Sequence, residues 1–577
     1  MKKRLLALVL IAAMAMSLAA CGGSSTAETT TAAAGSEEVT TEAAGGEEEV
    51  TEEETEAETE DPYADCDKEI IVGISADPTT FYPWGGFSQG GRHIFPMIYQ
   101  TLLSDVRDPD TGDITHYHAL MESYEQVDDT HWTVKLYEGI KDTAGNDFTA
   151  NDVVYCWTMF QSESPAASNI GKLVGYEATD DLTVECEVKE GTTKGDFEEI
   201  LTTVNMVTQA SYEASSDGFA TDPVGTTGYV LSDYQAGTSA TVTLAEGEYW
   251  NQIANDTKDV DAGYIPTSDN TNVKTVKFEF ITDTNTMAIA LENGEIDIAT
   301  SVSTTDISFY TDDEYYSVHE YPDNMFGLVF NAGDTSEFSD INLRQAVAYA
   351  VSAEDLLGMI YDGDGWQLKS FAMDYQIGYV KDWDNKSYFE QDMDKAQEYW
   401  DAYLKSSGKN ASDITFNLIY MNTDVMQKYA QVVQAALIEL SGNDNICALT
   451  SYDSATYTTM RADPSNFDMC ILNSMSNKTY VSYNWNLNYN GYDRTDGNDI
   501  SFSGDSKLWD LCQTACETLE EDDCNAFQEY LDEQCYFVNY ICGPAYWVGS
   551  NIVTKWALGA KNSIAICAMN FDWSVKY

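Results

Sequence analysis

Positive charge is scarce in this chain. Its 577 residues hold 29 Lys and Arg against 97 Asp and Glu, a formal net charge of −68. Phosphate backbones need clustered Lys and Arg, so nucleic-acid binding is excluded, and anionic lipid surfaces and anionic ligands are disfavoured. Histidine is rarer still, with 5 in all. His116 and His118 flank Tyr117, a spacing that can bind metal, but no third ligand accompanies them, and they read as strand or surface residues. The 12 Cys include no Cys-x-x-Cys, and setting Cys21 aside leaves an odd number. Scattered buried thiols therefore fit better than a disulfide framework, with Cys512, Cys516, Cys524, Cys535 and Cys542 the ones placed to pair. Cys512 and Cys516 stand four apart with no His beside them, which argues against a zinc site. Asp108 to Asp113 opens like a calcium loop, yet its twelfth position is Ala119. Gly363-Asp364-Gly365 follows a helical pattern rather than a strand, so it is no dinucleotide loop. Without a nucleophile elbow or a Ser-x-x-Lys context, nothing supports catalysis or a cofactor.

Long apolar runs are also missing after the N-terminus. That terminus reads Lys2, Lys3, Arg4, then an apolar stretch from Leu5 to Leu18, too short to span a bilayer comfortably. Leu18-Ala19-Ala20-Cys21, followed by Gly22 and Gly23, resembles a bacterial lipoprotein signal, in which the Cys is lipidated and becomes the mature N-terminus. From Ser24 to Asp61 the chain is Thr, Ala, Gly and Glu with no Lys or Arg. Such a segment cannot bury enough apolar surface to offset its ordering entropy and reads as an extended spacer.

The remaining five hundred or so residues suffice for two or three lobes. Glu69 to Ser75 reads as a buried strand, and residues 132–136 alternate as a half-buried one. Thr149-x-x-Asp152 is a capping box opening a helix through Val153, Val154 and Trp157. Val276, Phe278 and Phe280 alternate before a helix over 286–292. Leu343 to Ala350 is a helical face, Ser352-x-x-Asp355 caps a second helix, and Ile414 to Tyr420 alternates before a helix running to Leu440. Strands alternating with helices imply mixed α/β lobes.

Several segments, in order, resemble the peptide-type (family 5) extracellular solute-binding proteins of ABC importers. Val72 to Pro78 with Tyr82-Pro83 is similar to the family's first strand and loop. Residues 132–154, WTVKLYEGIKDTAGNDFTANDVV, are the most specific match. Asp222 to Thr226 with Tyr229, then Leu244 and Tyr249-Trp250, resemble later segments, although Thr227 and Gly228 stand where the family has Gly and Pro. Gly294 to Ala299, Arg344 to Val347 and Phe467-Asp468-Met469 complete the series. The resemblance implies a bilobal α/β fold of the periplasmic-binding-protein type II kind, with an additional subdomain and lobes joined by crossing strands. The expected divisions are a signal peptide over 1–20, a lipidated linker over 21–66, lobe I over 67–105, subdomain II over 106–221, lobe I again over 222–315, lobe III over 316–545 and a return to lobe I over 546–577.

The same resemblance implies a monomer lipid-anchored at Cys21 to the outer face of the cytoplasmic membrane. It would enclose a small solute, a peptide first and an oligosaccharide or other neutral solute as the alternative, and deliver it unchanged to a permease and ATPase. The distant alternative is a tethered sensor or peptide chaperone that uses the same cleft without transport. The expected ligand contacts are Trp84, Phe87, Ser88 and Gln89 on one wall, Asn324 and Met325 at the lobe crossing, and Asn473, Met475, Asn477, Tyr480 and Trp485 on the other wall. Peptide-binding relatives use an Asp in this last segment to pair with the peptide ammonium. Asn477 stands in its place and supplies no charge.

Overall fold

The computed structural model describes Tyr63 and residues 66–85, 90–107, 114–245, 273–489, 491, 498–559 and 562–577. The signal segment, Cys21, the acidic linker, the Asp108–Asp113 turn and Tyr249-Trp250 lie outside the described residues.

One mixed sheet of eleven strands carries the architecture. Its order runs Cys447–Tyr452, Phe416–Met421, Met469–Met475, Tyr316–Phe330, Phe537–Ser550, Ile298–Ala299, Glu69–Ile74, Thr275–Phe280, Ser239–Leu244 and Tyr229–Gln235, with Trp366–Gln367 added beside Phe537–Ser550. The two central strands are the longest described, 15 and 14 residues, and join two lobes. On one side Glu69–Ile74 pairs in parallel with Thr275–Phe280, and on the other Phe416–Met421 pairs in parallel with Cys447–Tyr452. The first-lobe strands bury Ile70, Val72 and Ile74 against Val276 and Phe278. Those of the second lobe bury Phe416, Leu418 and Ile471 beneath the helix Asp424–Ser441.

The crossing is interrupted where the lobes meet. Pro322 stands opposite Pro544, and regular pairing resumes only at Met325 and Cys542. Neither proline has an N–H to give the ladder, so the sheet loosens there. The freed carbonyls are taken up by side chains: Ser476 Oγ donates to Pro322 O at 2.8 Å and to Asp323 O.

A separate antiparallel sheet of Met121–Gln126, His131–Leu136, Thr183–Val188 and Leu173–Ala178 packs under the helix Ala150–Glu163. At its start the Thr149 N–H donates to Asp152 Oδ2 at 2.7 Å, the reciprocal bond of the expected capping box. Leu103–Arg107 and Ile114–His118 form a third sheet with the C-terminal Leu558–Gly559 and Ser563–Ile564. The divisions drawn at 105 and 545 thus fall inside the strands Leu103–Arg107 and Phe537–Ser550. Ten described cysteines are free thiols, and all but Cys66 are buried. Cys512 and Cys516 approach to 3.9 Å as a thiol–thiol hydrogen bond, not a disulfide. Gly363 and Gly365 have φ of 96° and 98° and form a left-handed turn after the helix Ala353–Tyr361.

Candidate functional site

Asn473 and Met475 occupy alternate positions of the strand Met469–Met475, and both are exposed while Ser474 between them is buried. Period-2 alternation therefore turns them to one face. Asn324 pairs with Met475 and Phe326 with Asn473 on the neighbouring crossing strand. Beyond Met475 the backbone is pinned by side chains. Asn484 Nδ2 donates to Met475 O at 2.7 Å, Tyr375 OH to Ser476 O at 2.9 Å, and Gln376 Nε2 to Lys478 O at 2.8 Å. Three such bonds hold the stretch 475–478 as a rigid platform.

The platform's polar groups are mostly neutral amides. Asn477 is half-buried, and its Oδ1 is buried with no hydrogen-bond donor. A buried acceptor left unpaired costs about 1–3 kcal/mol, so this oxygen has capacity for one further N–H or O–H donor. Asp323, exposed on the crossing strand, adds a carboxylate whose pKa is raised by desolvation from the surrounding protein, with the Asn324 amide and the Arg92 charge working the other way. Arg92 lies in the short helix Gly91–Ile94 of the first lobe, just past the loop that carries the expected Phe87, Ser88 and Gln89. Those three residues lie outside the described residues.

Three expected contacts are corrected by their packing. Trp84 is fully buried, donates its Nε1–H to Asn205 O at 3.0 Å and packs on Tyr82 and Tyr212. Met325 is fully buried with Leu368, Met373 and Cys542 beneath the crossing. Trp485 is fully buried, donates to Phe371 O at 2.7 Å and packs on Phe527 with ring centres 4.6 Å apart. The helix Val481–Asn488 turns Val481, Trp485 and Asn488 inward, so no face of Trp485 is left for a ligand.

Tyr480 is placed differently again, in the contact between the lobes. Its ring stacks on His116 at 5.7 Å, and its OH donates to Glu198 Oε2. Lys478, next to Asn477 in the chain, is buried, ion-paired with Glu199 and 3.9 Å from the centre of the Tyr483 ring. Its charge is compensated, so it does not oppose a cationic ligand. Sequence reasoning missed Asp323 and Arg92. Asp323 does adjoin Pro322 and Asn324, and an acid directly after a proline, ahead of the apolar run Met325 to Phe330, is a readable anomaly.

Among the described residues, no three His, Cys, Asp or Glu come together as a metal site. His116 turns to Asp105 and His118 to the Glu122 carbonyl. No described helix is long and apolar enough to cross a membrane.

With the geometry in place, known proteins were compared. The sequence profile of the bacterial extracellular solute-binding proteins, family 5 Middle, matches residues 116–496. The probable D,D-dipeptide-binding periplasmic protein DdpA of Escherichia coli is 21% identical over 341 residues, which are 58% of this chain and 62% of that one. The chain thus spans somewhat less than two thirds of that relative's length. HbpA2 from Haemophilus parasuis superposes with a TM-score of 0.71 at 15% identity, covering 87% of this chain and 100% of that one. The unliganded open form of the murein tripeptide binding protein MppA superposes with 0.68 at 18% identity, covering 85% and 94%. These two likenesses bear on the fold.

Proposed function

The chain belongs to family 5 of the bacterial extracellular solute-binding proteins, and on that premise we propose that it captures a short peptide between its lobes and delivers it unchanged to an ABC permease. It is a binding protein and not an enzyme.

The platform carries the ligand reading. Asn473, Asn477 and Asn324 offer amide groups along a sheet face, with one buried acceptor unpaired, a pattern suited to the N–H and C=O groups of a peptide main chain. An oligosaccharide would want aromatic faces, and Trp84, Trp485 and Tyr480 are committed to packing or to the lobe contact. Charge plays a small part. Asn477 is neutral, and the Arg92 charge counters Asp323.

Wild-type protein should therefore bind tetra-alanine and N-acetyl-tetra-alanine with similar affinity in calorimetric titrations. Asn477→Asp should favour the free-ammonium peptide about tenfold, because charge-assisted hydrogen bonds are roughly twice as strong as neutral ones. Strong discrimination by the wild type would contradict the neutral anchor. Binding of a matched maltotetraose instead of either peptide would replace the peptide by a sugar.

The Leu-Ala-Ala-Cys segment supports a lipid anchor at Cys21 on the outer face of the cytoplasmic membrane. The acidic segment after Cys21 would keep the receptor tethered and concentrated beside its transporter. Cys21→Ala should move the protein from the membrane fraction to the soluble exported fraction. Retention of unlipidated protein in the membrane would overturn the anchor.

A further inference from the structure

The lobes touch in a second place besides the crossing strands, and that contact is built from buried polar groups. Glu198, on the helix Lys194–Thr203, is 2% exposed. Its Oε1 accepts from Tyr124 OH and its Oε2 from Tyr480 OH, while Lys194 Nζ stands 3.5 Å from Oε1. His116 lies beside this carboxylate. Its Nδ1 is 2.7 Å from Asp105 Oδ1, and its Nε2 is 3.2 Å from Tyr480 OH and 3.7 Å from Glu198 Oε2. Asp105 uses its other oxygen to accept from Thr479 Oγ1 at 2.7 Å, and Lys478 pairs with Glu199. Asp105, His116, Tyr124 and Glu198 belong to the side of Leu103–Thr203, and Lys478, Thr479 and Tyr480 to the lobe of the strand Met469–Met475.

Backbone shape fits the same contact. Gly195, in the first turn of the Lys194–Thr203 helix, lies so close to the other lobe that a Cβ there would stand 3.2 Å from the Tyr480 ring and 3.3 Å from Ser482 Oγ. Glycine permits that approach, and a larger residue would wedge it.

We propose that Tyr480, Glu198 and His116 form a latch that holds the two lobes closed, acting on the bound solute without touching it. Tyr480 thereby becomes a positioning residue for closure. The inference rests on the two-lobe reading and is independent of what the solute is. Its energetic logic is that a solute bound only in the closed form has an apparent affinity scaled by the closed fraction, so each contact made only on closure tightens binding.

The latch responds to pH in a definite direction. Burial favours neutral His116, but Asp105 and Glu198 outweigh it and raise its proton affinity, with Lys194 opposing. Asp105 and Glu198 stand on His116's own side, so what closure adds is Tyr480. With Nδ1 facing Asp105, only protonated His116 can also give its Nε2–H to the Tyr480 oxygen while the Tyr480 O–H goes to Glu198. The closed form therefore favours the proton, and its stabilisation is present at the acid end and is lost as pH rises through the raised pKa of His116 in the closed form. His93 and His319 do not contribute to the signal. Burial keeps His93 and His319 neutral by lowering them to about 3 and about 4. His131 pairs with Asp128 at the exposed start of the strand His131–Leu136, away from the lobe contact.

The test needs no ligand. Small-angle scattering of solute-free protein, with amide exchange of residues 194–203 and 478–482, is followed from about pH 6 to about pH 9. The expected result is a compact, protected form at the acid end that expands and exchanges faster at the alkaline end. His116→Gln should flatten this profile, and His131→Gln should leave it as in the wild type. Tyr480→Phe and Gly195→Val should be expanded throughout, with wild-type circular dichroism showing that they are folded. Wild-type dimensions and protection that stay constant over the whole range overturn the proposal, and so does an unchanged pH profile in His116→Gln. If the substituted proteins fail to fold, the wild-type profile still decides. A loss of peptide binding with the pH response intact would count against the solute reading alone.

Discussion

Trp485 lies between Trp383 and Phe527 with its indole N–H satisfied by Phe371 O, so its removal leaves a cavity and an orphaned carbonyl. Trp485→Ala should cost about 3–5 kcal/mol of folding stability, read as a lower urea midpoint, before any effect on binding is measurable. An unchanged midpoint with lost binding would return Trp485 to the cleft. At this scale the sequence was partly legible. The replacement of an acid by Asn477 was readable, because an amide differs from a carboxylate in charge wherever it sits. Burial was harder. Val481, Ser482, Trp485 and Asn488 recur at helical spacing and form the buried side of their helix, but aromatic residues beside a polar strand end invite a binding role as readily. Trp84 and Met325 misled in the same way, since only tertiary packing decides which side of a loop or strand faces inward.

Elements were read best where their signals are local. Thr149-x-x-Asp152 and Ser352-x-x-Asp355 open helices at Ala150 and Ala353, as capping chemistry within four residues dictates. The crossing strands were not read at full length. Tyr316–Phe330 contains Pro322, which within a local window argues against a strand, and its pairing with Phe537–Ser550 spans more than two hundred residues. What allows the proline is Ser476, whose hydroxyl occupies the Pro322 and Asp323 carbonyls. Ser476→Ala should therefore destabilise the protein by about 1 kcal/mol and speed amide exchange around residues 322–325 and 542–545, since the Asp323 carbonyl loses its donor and Pro322 O keeps only Asn562 Nδ2 at 3.4 Å. An unchanged exchange pattern there would remove Ser476 from the crossing.

Taken whole, the molecule is two lobes on one continuous sheet, loosened at a proline pair and met again at a polar contact. The order of family-like segments along the chain made this architecture legible, because spacing between weak motifs survives where each motif is blurred. Lobe-to-lobe contacts such as Tyr480 with Glu198 were not legible, since their partners lie 282 residues apart and neither belongs to a local pattern. The large negative charge sets a field that favours neutral or cationic solutes without defining a site. The central claim is that a peptide fills the space between the lobes. Native mass spectrometry of gently purified protein, followed by release and sequencing of the bound solute, tests it most directly. A ladder of short peptides is the expected result. A solute built of hexose units, on protein of the same fold, would contradict it.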